Sequence, residues 1–391
     1  MTRKTILIIG PIYPYRGGIS HYTGLLAQSL SSRFDVKVFS FKMQYPKFLY
    51  KNEQKNYDST IFAYDDTEYI INTLNPFNWA ITARKIKRLK PDMIIVQWWH
   101  PYFAPAWHGI LRRVSKNIPT VFTCHNVYPH ESKIPFVEQM TRYTLRLGNR
   151  FIVHADSEAT DLRSLLPEAE YRQTVHPTYN SFRIEGISKR EARARLDIDQ
   201  NAQVLLFFGF IRKYKGLKYL LNAMPSIVQK HSNALLLVVG EFFDNDKEDY
   251  VRLINELDCA GNIRLVDGYL PDRDVEPYFA ACDIVILPYT SATQSGIVQI
   301  AYGFEKPVIT TRVGGLPDVV IDGETGILID PENPEEIARA VKKYYDENEK
   351  DAFAVKIKEL NEVYSWDKMV TVIESLYDDI REQEEGNKEH C

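Results

Sequence analysis

Short apolar runs alternate with longer amphipathic stretches along almost the whole chain. In the first half, Ile6–Ile9, Val36–Phe41, Met93–Trp98, Thr120–Cys124 and Phe151–Val153 have strand length and strand composition. Between Gly18 and Val36, the residues Ile19, Tyr22, Leu26 and Leu30 recur at helical spacing. The second half repeats the scheme. Strand-like runs at Val204–Phe208, Ala234–Val239, Ile263–Val266, Asp283–Leu287, Val308–Thr310 and Gly326–Ile329 are separated by helix-like segments near 216–230, 247–258, 273–282, 296–305 and 334–346. Strands that are apolar throughout are buried on both faces, and helices between them make parallel crossovers. Two such successions predict two doubly wound α/β domains.

His176-Pro177-Thr178-Tyr179-Asn180 interrupts the alternation, and the polar, charge-rich Ser188–Asp199 follows. The boundary is expected within 177–200, with a first domain over 1–180 and a second over 181–365. Residues 366–391 form a final segment. Within it, Trp366, Met369, Val370, Ile373, Leu376, Tyr377 and Ile380 share one helical stripe, and the acidic end is expected to fray.

Composition narrows the class. Of 391 residues, 45% are apolar and 26% charged, as in soluble globular proteins. No apolar run approaches the roughly 20 residues of a membrane span. Met-Thr-Arg-Lys runs straight into the first strand, so no signal peptide is expected. Cys124, Cys259, Cys282 and Cys391 are scattered, with neither a disulfide framework nor a metal-ligand spacing. A reduced, cytoplasmic setting without structural zinc is expected.

The net charge of −4 conceals an asymmetry. Residues 1–180 carry 23 Lys and Arg against 14 Asp and Glu, while residues 181–391 carry 25 against 38. The basic half predicts peripheral contact with an anionic membrane, through Arg84–Lys90, Arg112–Lys116 and Arg142–Arg150. In the last cluster Met140, Tyr143 and Leu147 alternate with Arg142, Arg146 and Arg150, as in an interfacial helix. No basic–aromatic motif for nucleic acid is evident.

Doubly wound sheets bind ligands beyond the carboxyl ends of their strands, so the following turns are the candidates. Gly10–Ser20 contains Gly17 and Gly18 just before a helix, where backbone can approach an anion. It is neither a dinucleotide fingerprint nor a P-loop. Gly209–Leu217 places Arg212, Lys213 and Lys215 between a strand and a helix, a cationic group suited to phosphate. Pro288–Gly296 leads into an apolar helix, with Ser295 a candidate N-cap and the next N–H groups, Gly296 and Ile297, open to a phosphate. Its charge-free run Thr290–Ser295, including Gln294, suits a neutral polyol. His125 ends a strand of the first half. The pairs Asp197/Asp199, Asp244/Asp246 and Asp272/Asp274 have a metal–diphosphate spacing, and only Asp244/Asp246 follows a strand.

These residues resemble the family 4 retaining glycosyltransferases of GT-B architecture. Lys215-Gly216, Val313–Val320 (Val-Gly-Gly-Leu-Pro-Asp-Val-Val) and Asp322–Leu328 stand in the family's order. The resemblance implies two Rossmann-like domains facing across a cleft, with the last helix crossing back to the first domain. It implies that Gly17 and Gly18 underlie the donor phosphates, that His125 lies near the transferred sugar, and that Lys215 meets the diphosphate. Arg212 stands two residues after Phe210, where the family usually has arginine. Two family glutamates are replaced by Ala292 and Ile300, leaving Gln294 and Ser295 with backbone N–H groups in that region.

The implied reaction moves a sugar from a nucleotide diphosphate sugar to an acceptor hydroxyl, in polysaccharide or glycolipid synthesis. Its acceptor is a sugar or lipid-linked sugar, and it uses no metal or further cofactor. A nucleotide-sugar epimerase and a catalytically silent sugar-nucleotide-binding subunit are the alternatives. Aromatics in Trp98–Trp107 either stack on an acceptor or lie in the core.

Overall fold

The computed structural model describes residues 3–50, 53–128, 136–243, 246–347 and 350–389, without side chains at 350 and 384–389. The chain divides into two units, Met1–Val175 with Trp366–Cys391, and His176–Ser365.

The first unit contains β1 (Thr5–Ile9), α1 (Gly18–Leu30), β2 (Asp35–Met43), β3 (Thr67–Asn72), α2 (Pro76–Leu89), β4 (Met93–Trp98), α3 (Ala104–Leu111), β5 (Thr120–Cys124), α4 (Val137–Leu145), β6 (Arg150–Val153), α5 (Asp156–Leu165) and β7 (Tyr171–Gln173). Its strands pair in parallel in the order β3-β2-β1-β4-β5-β6-β7. Successive side chains of a strand point to opposite faces. Ile6 and Ile8 therefore join Val36, Val38 and Ile95 under α1, while Leu7 and Ile9 join Ile94 and Val96 on the other face, with Ile86 of α2 and Trp107 of α3.

The second unit contains α6 (Lys189–Arg195), β8 (Gln203–Phe208), α7 (Leu217–Lys230), β9 (Ala234–Gly240), α8 (Lys247–Glu256), β10 (Ile263–Asp267), α9 (Glu276–Ala281), β11 (Ile284–Leu287), α10 (Gly296–Gly303), β12 (Val308–Thr311), β13 (Gly326–Ile329), α11 (Pro334–Asp346) and α12 (Lys350–Val363). These strands also pair in parallel, in the order β10-β9-β8-β11-β12-β13. The last helix, α13 (Trp366–Glu389), returns to the first unit. Met369, Val370, Ile373 and Leu376 are buried there with Tyr22, Leu26 and Leu30 of α1. Burial of each such apolar side chain contributes about 1.5–3 kcal/mol, which holds the returning helix in place.

The structure refines three expectations. The division falls at Val175/His176, five residues before the expected boundary. Tyr179 explains the shift: its N–H donates to the Gln299 carbonyl at 3.2 Å, inside the second unit. Ser188–Asp199 lies wholly within the second unit. It holds α6, opened by a capping box in which Ser188 and Glu191 satisfy each other's backbone N–H groups. Arg142–Arg150 is only partly helical, since α4 ends at Leu145. Met140 and Leu147 pack on the core, Arg142 pairs with Glu138 at 2.9 Å, and the buried Arg150 pairs with Glu170 at 2.9 Å.

Candidate functional site

Sheet order locates the two candidate loop sets. In each unit the strand order reverses direction at one place: between β1 and β4, and between β8 and β11. At such a switch point the crossover helices leave on opposite faces, and their departing loops part to admit a ligand.

In the second unit the loops after β8 and β11 flank this point. After β8, Gly209 takes a φ of 99°, which a side chain would strain, and turns the backbone towards the next residues of the site. A Cβ built there would stand 3.2 Å from Nζ of Lys215 and 3.3 Å from Cδ1 of Ile297. The loop after β8 and the start of α10 therefore meet at this glycine. Lys213–Lys215 is a 3-10 turn, and Thr290 docks it, its N–H donating to the Tyr214 carbonyl at 2.7 Å. The loop after β12 is fastened similarly, with the Gly315 N–H donating to the Thr293 carbonyl at 2.8 Å.

The electrostatics are one-sided. Lys215 is only 9% exposed. Burial first, and the neighbouring Arg212 charge second, pull its pKa down from 10.5 to about 8. No carboxylate offsets these effects among the described residues. The Arg212 guanidinium lies 3.6 Å over the centre of the Phe243 ring, a cation–π seat that fixes its plane. Phe210 meets the same ring nearly at a right angle, 6.3 Å away. A buried ammonium beside a seated guanidinium is a site prepared for an anion.

Ser295 occupies the N-cap position of α10 without capping it, which corrects the sequence reading. Its hydroxyl instead lies 3.2 Å from that of Tyr289. The helix thus begins without a side-chain cap at Gly296 and Ile297. Nε2 of Gln294 is buried and has no hydrogen-bond partner among the described residues. A buried amide donor of this kind costs free energy until a ligand accepts from it. Ala292 and Ile300, where the resemblance would place carboxylates, are both buried. Asp244 lies outside the described residues, and Asp272 and Asp274 form a separate 3-10 turn.

In the first unit Gly17 precedes α1 with a φ of 107°, and neither Gly17 nor Gly18 has a heavy atom within 4 Å of a built Cβ. Gly17 is required by its backbone angle, and both leave open space for close approach. His125 follows β5 and is buried. Its Nε2 lies 2.7 Å from Oε1 of Gln97 on β4. Gln97 was not singled out from the sequence, although a polar residue inside the apolar run Met93–Trp98 is itself a signal. Phe243 had no such signal, because only the fold brings it under Arg212. Of the aromatics after β4, Trp98, Phe103 and Trp107 are core, whereas Trp99 and Tyr102 are partly exposed.

The fold defines the class first. The structure is similar to HepE from Anabaena in complex with UDP, with a TM-score of 0.74 at 16% identity over 97% of this chain and 100% of that one. It is also similar to sucrose-phosphate synthase from Thermosynechococcus elongatus, with a TM-score of 0.73 at 18% identity over 97% and 100%. This is the GT-B architecture. The profile for Glycosyltransferase Family 4 matches residues 16–178, and that for Glycosyl transferases group 1 matches residues 188–359. The chain belongs to the family 4 glycosyltransferases. Among its relatives, spore coat protein SA of Bacillus subtilis is 23% identical over 389 residues, 94% of this chain and 96% of that protein. The D-inositol 3-phosphate glycosyltransferase of Corynebacterium diphtheriae is 28% identical over 236 residues, 59% of this chain and 53% of that protein. The chain thus aligns with about half the length of the latter. No helix among the described residues is long and apolar enough to cross a membrane.

Proposed function

We propose that the protein is a retaining glycosyltransferase that moves a hexose from a nucleotide diphosphate sugar to an acceptor hydroxyl. The observation that carries this reading is the buried Lys215 ammonium beside Arg212, at the switch point of the second sheet. The donor diphosphate rests against these cations and the uncapped start of α10, with Gln294 and Ser295 at the sugar or ribose hydroxyls. Gly17 and Gly18 leave room for phosphate at the start of α1, and His125 serves the transferred sugar. When the bond from C1 to the diphosphate breaks, its electron pair stays on the diphosphate and the sugar becomes oxocarbenium-like. The acceptor oxygen then bonds to C1 on the face just vacated, and its proton passes to the departing phosphate. Lys215 and Arg212 stabilise the growing charge without reorganising, the task a metal ion performs elsewhere. No cofactor is needed beyond the donor. Donors of the type named for HepE, which has been solved in complex with UDP-glucose, are the first to try.

The basic first unit supports work on a lipid-linked or polysaccharide acceptor at the inner membrane face, by the α2 surface rather than the 142–150 segment.

The test starts with thermal-shift screening of nucleoside diphosphates and their sugars, because a ligand that binds only the folded chain raises its melting temperature. Kinetics with the donor so identified should show Lys215→Ala losing about 100-fold or more in kcat, as when one preorganised donor is lost. Arg212→Lys should recover little of the Arg212→Ala loss, since an ammonium cannot reproduce the planar fork. An NMR-assigned product glycoside with the donor's anomeric configuration completes the case. Release of an epimerised nucleotide sugar, or donor binding without turnover, would overturn the transferase reading.

A further inference from the structure

The first unit carries a groove that the transfer chemistry does not use. It runs over α3, between α2 and α4, with a volume of about 310 Å³, in the range of small-ligand sites. Ala106, Trp107, Ile110 and Leu111 of α3 are buried in the core, so Pro105, His108, Gly109 and Arg112 of the other side form the floor. Gly109 lets α2 come close: a Cβ there would stand 2.4 Å from Cε3 of Trp79, which makes one wall. Tyr143 of α4 makes the other, its ring stacked on the His108 imidazole at 4.0 Å and 20°. The Thr144 hydroxyl ties α4 to α3 beside it, donating to the Ala104 carbonyl at 3.3 Å. The charge in the groove has one sign. Arg112, Arg113 and His108 line it, and no acid does among the described residues. Arg113 donates to the Gly109 carbonyl, whereas the Arg112 guanidinium has no hydrogen bond or carboxylate partner among the described residues. Nδ1–H of His108 donates to the Tyr143 carbonyl at 3.3 Å, and Nε2 has no partner among those residues. Burial holds the His108 pKa below its usual value, the Tyr143 carbonyl opposes this, and the Arg112 charge adds to it. A seated anion would offset that charge and favour the protonated ring, in which Nε2 also donates.

We propose that this groove binds the phosphate of an anionic membrane lipid. Arg112, Arg113 and His108 take the phosphate oxygens, and the lipid's apolar part lies against Trp79, Met140 and Tyr143. The apolar walls favour a lipid phosphate over a free one. Phe77 and Ile81 of α2 and Tyr143 of α4 are large, exposed side chains that suit a bilayer better than an acidic peptide. The inference rests on the reading that the first unit works at an anionic membrane, and it adds a saturable site with a preferred headgroup. The groove is apart from the transfer site. α3 starts beyond the carboxyl end of β4 and returns the chain towards the amino end of β5, so Arg112 lies away from the carboxyl-end loops that hold Gly17, Gly18 and His125.

Cations at the end of a helix also favour its dipole, so the test reads binding rather than stability. The probe is dihexanoyl phosphatidate, kept below its micellar concentration so that no bilayer takes part, followed by calorimetry and by NMR of the His108 ring. It should bind saturably and move those resonances. Inorganic phosphate and dihexanoyl phosphatidylcholine should each bind at least about 10-fold more weakly, the first lacking the apolar part and the second carrying its own cation. Arg112 is exposed, so its replacement spares the packing, and near-UV circular dichroism checks each fold. Arg112→Gln should weaken phosphatidate binding by about 10-fold or more, as when a hydrogen bond to a charged group is lost, and Arg112→Lys should recover part of that loss. Kinetics with a soluble acceptor should be unchanged in Arg112→Gln. Inorganic phosphate binding as tightly as phosphatidate, a polyglutamate peptide binding more tightly than it, or phosphatidate binding that Arg112→Gln leaves unchanged would each overturn the proposal. If the protein floats with anionic vesicles but does not bind the short-chain phosphatidate, the groove assignment falls and the membrane reading stands. If it binds phosphatidate through Arg112 but does not float, the site stands and the membrane reading falls.

Discussion

Lys215 holds an ammonium where the fold alone would prefer none. Its pKa near 8, against an ordinary 10.5, means the folded chain binds that proton less tightly than the unfolded chain does. Such a group opposes folding fully below pH 8 and ceases to do so as pH rises through 8 towards 10.5. The magnitude is about 3 kcal/mol, enough to matter in a domain of marginal stability. Lys215→Met keeps the volume and removes the charge. It should raise the melting temperature of the unliganded protein near pH 7, by about 2–4 °C for each kcal/mol relieved, while lowering kcat as Lys215→Ala does. The gap between variant and parent should close as pH approaches 10.5. Calorimetric melts across that range provide the check, and a variant no more stable than its parent at pH 7 contradicts the assignment. A bound diphosphate should draw the pKa back up. Donor binding at about pH 8–9 should therefore take up protons, which titrations in buffers of different ionisation enthalpy will detect.

At the scale of elements, α6 is anchored through one buried carboxylate. Asp283, at the start of β11, receives Arg193 of α6 at 3.1 Å and the Val204 N–H at 2.8 Å, and Lys189 joins them. Burial would raise the Asp283 pKa, but the Lys189 charge and these hydrogen bonds outweigh it and hold the carboxyl below its usual range. Its ion pairing therefore stabilises the fold above the ordinary carboxylate pKa and is lost as pH falls through the lower folded value. Arg193→Ala and Arg193→Met both strip the buried Asp283 carboxylate of its guanidinium, leaving Lys189 as its cationic partner, and should each cost about 3–5 kcal/mol in urea unfolding. A much smaller loss in Arg193→Met than in Arg193→Ala would show that packing, not charge, is what Arg193 supplies. The capping box made α6 legible in principle, yet its charge-rich composition reads as linker because Arg193 finds its acid only through the fold. The central strands were legible for the opposite reason. Runs such as Met93–Trp98 are buried on both faces and carry little that is polar. The edge strands β3 and β7 have one neighbour each and mixed composition, so their pattern resembles loop. The same contrast governs the site. Lys215 and Arg212 stand out in the sequence as cations between a strand and a helix, whereas Gln97 and Phe243 meet His125 and Arg212 only through elements remote in sequence.

For the molecule as a whole, the charge asymmetry resolves to a particular surface of the first unit. Residues 74–91 contain five Lys and Arg and no acid, and 104–117 add Arg112, Arg113 and Lys116, again without an acid. Trp79 of α2 packs against Gly109 of α3, so these segments form one continuous face. On α2, residues Phe77, Ile81, Arg84 and Arg88 follow one another at helical spacing on the side away from the buried Thr82, Ala83 and Ile86. Phe77 is 83% exposed and Ile81 59%, large apolar side chains that the fold itself does not cover. Apolar anchors beside unopposed cations suit an anionic lipid surface, where each cation near the headgroups contributes about 1 kcal/mol and the attraction weakens with salt. The protein should therefore float with vesicles of mixed neutral and anionic lipid at low salt and remain behind with purely neutral ones. Phe77→Ser/Ile81→Ser should weaken that binding at every salt concentration. Arg84→Glu/Arg88→Glu should abolish it at low salt while leaving soluble-acceptor kinetics unchanged, since α2 carries none of the donor-site residues. Flotation that is equal for neutral and anionic vesicles, or that survives the Arg84→Glu/Arg88→Glu exchange, would rule out this face as the docking surface.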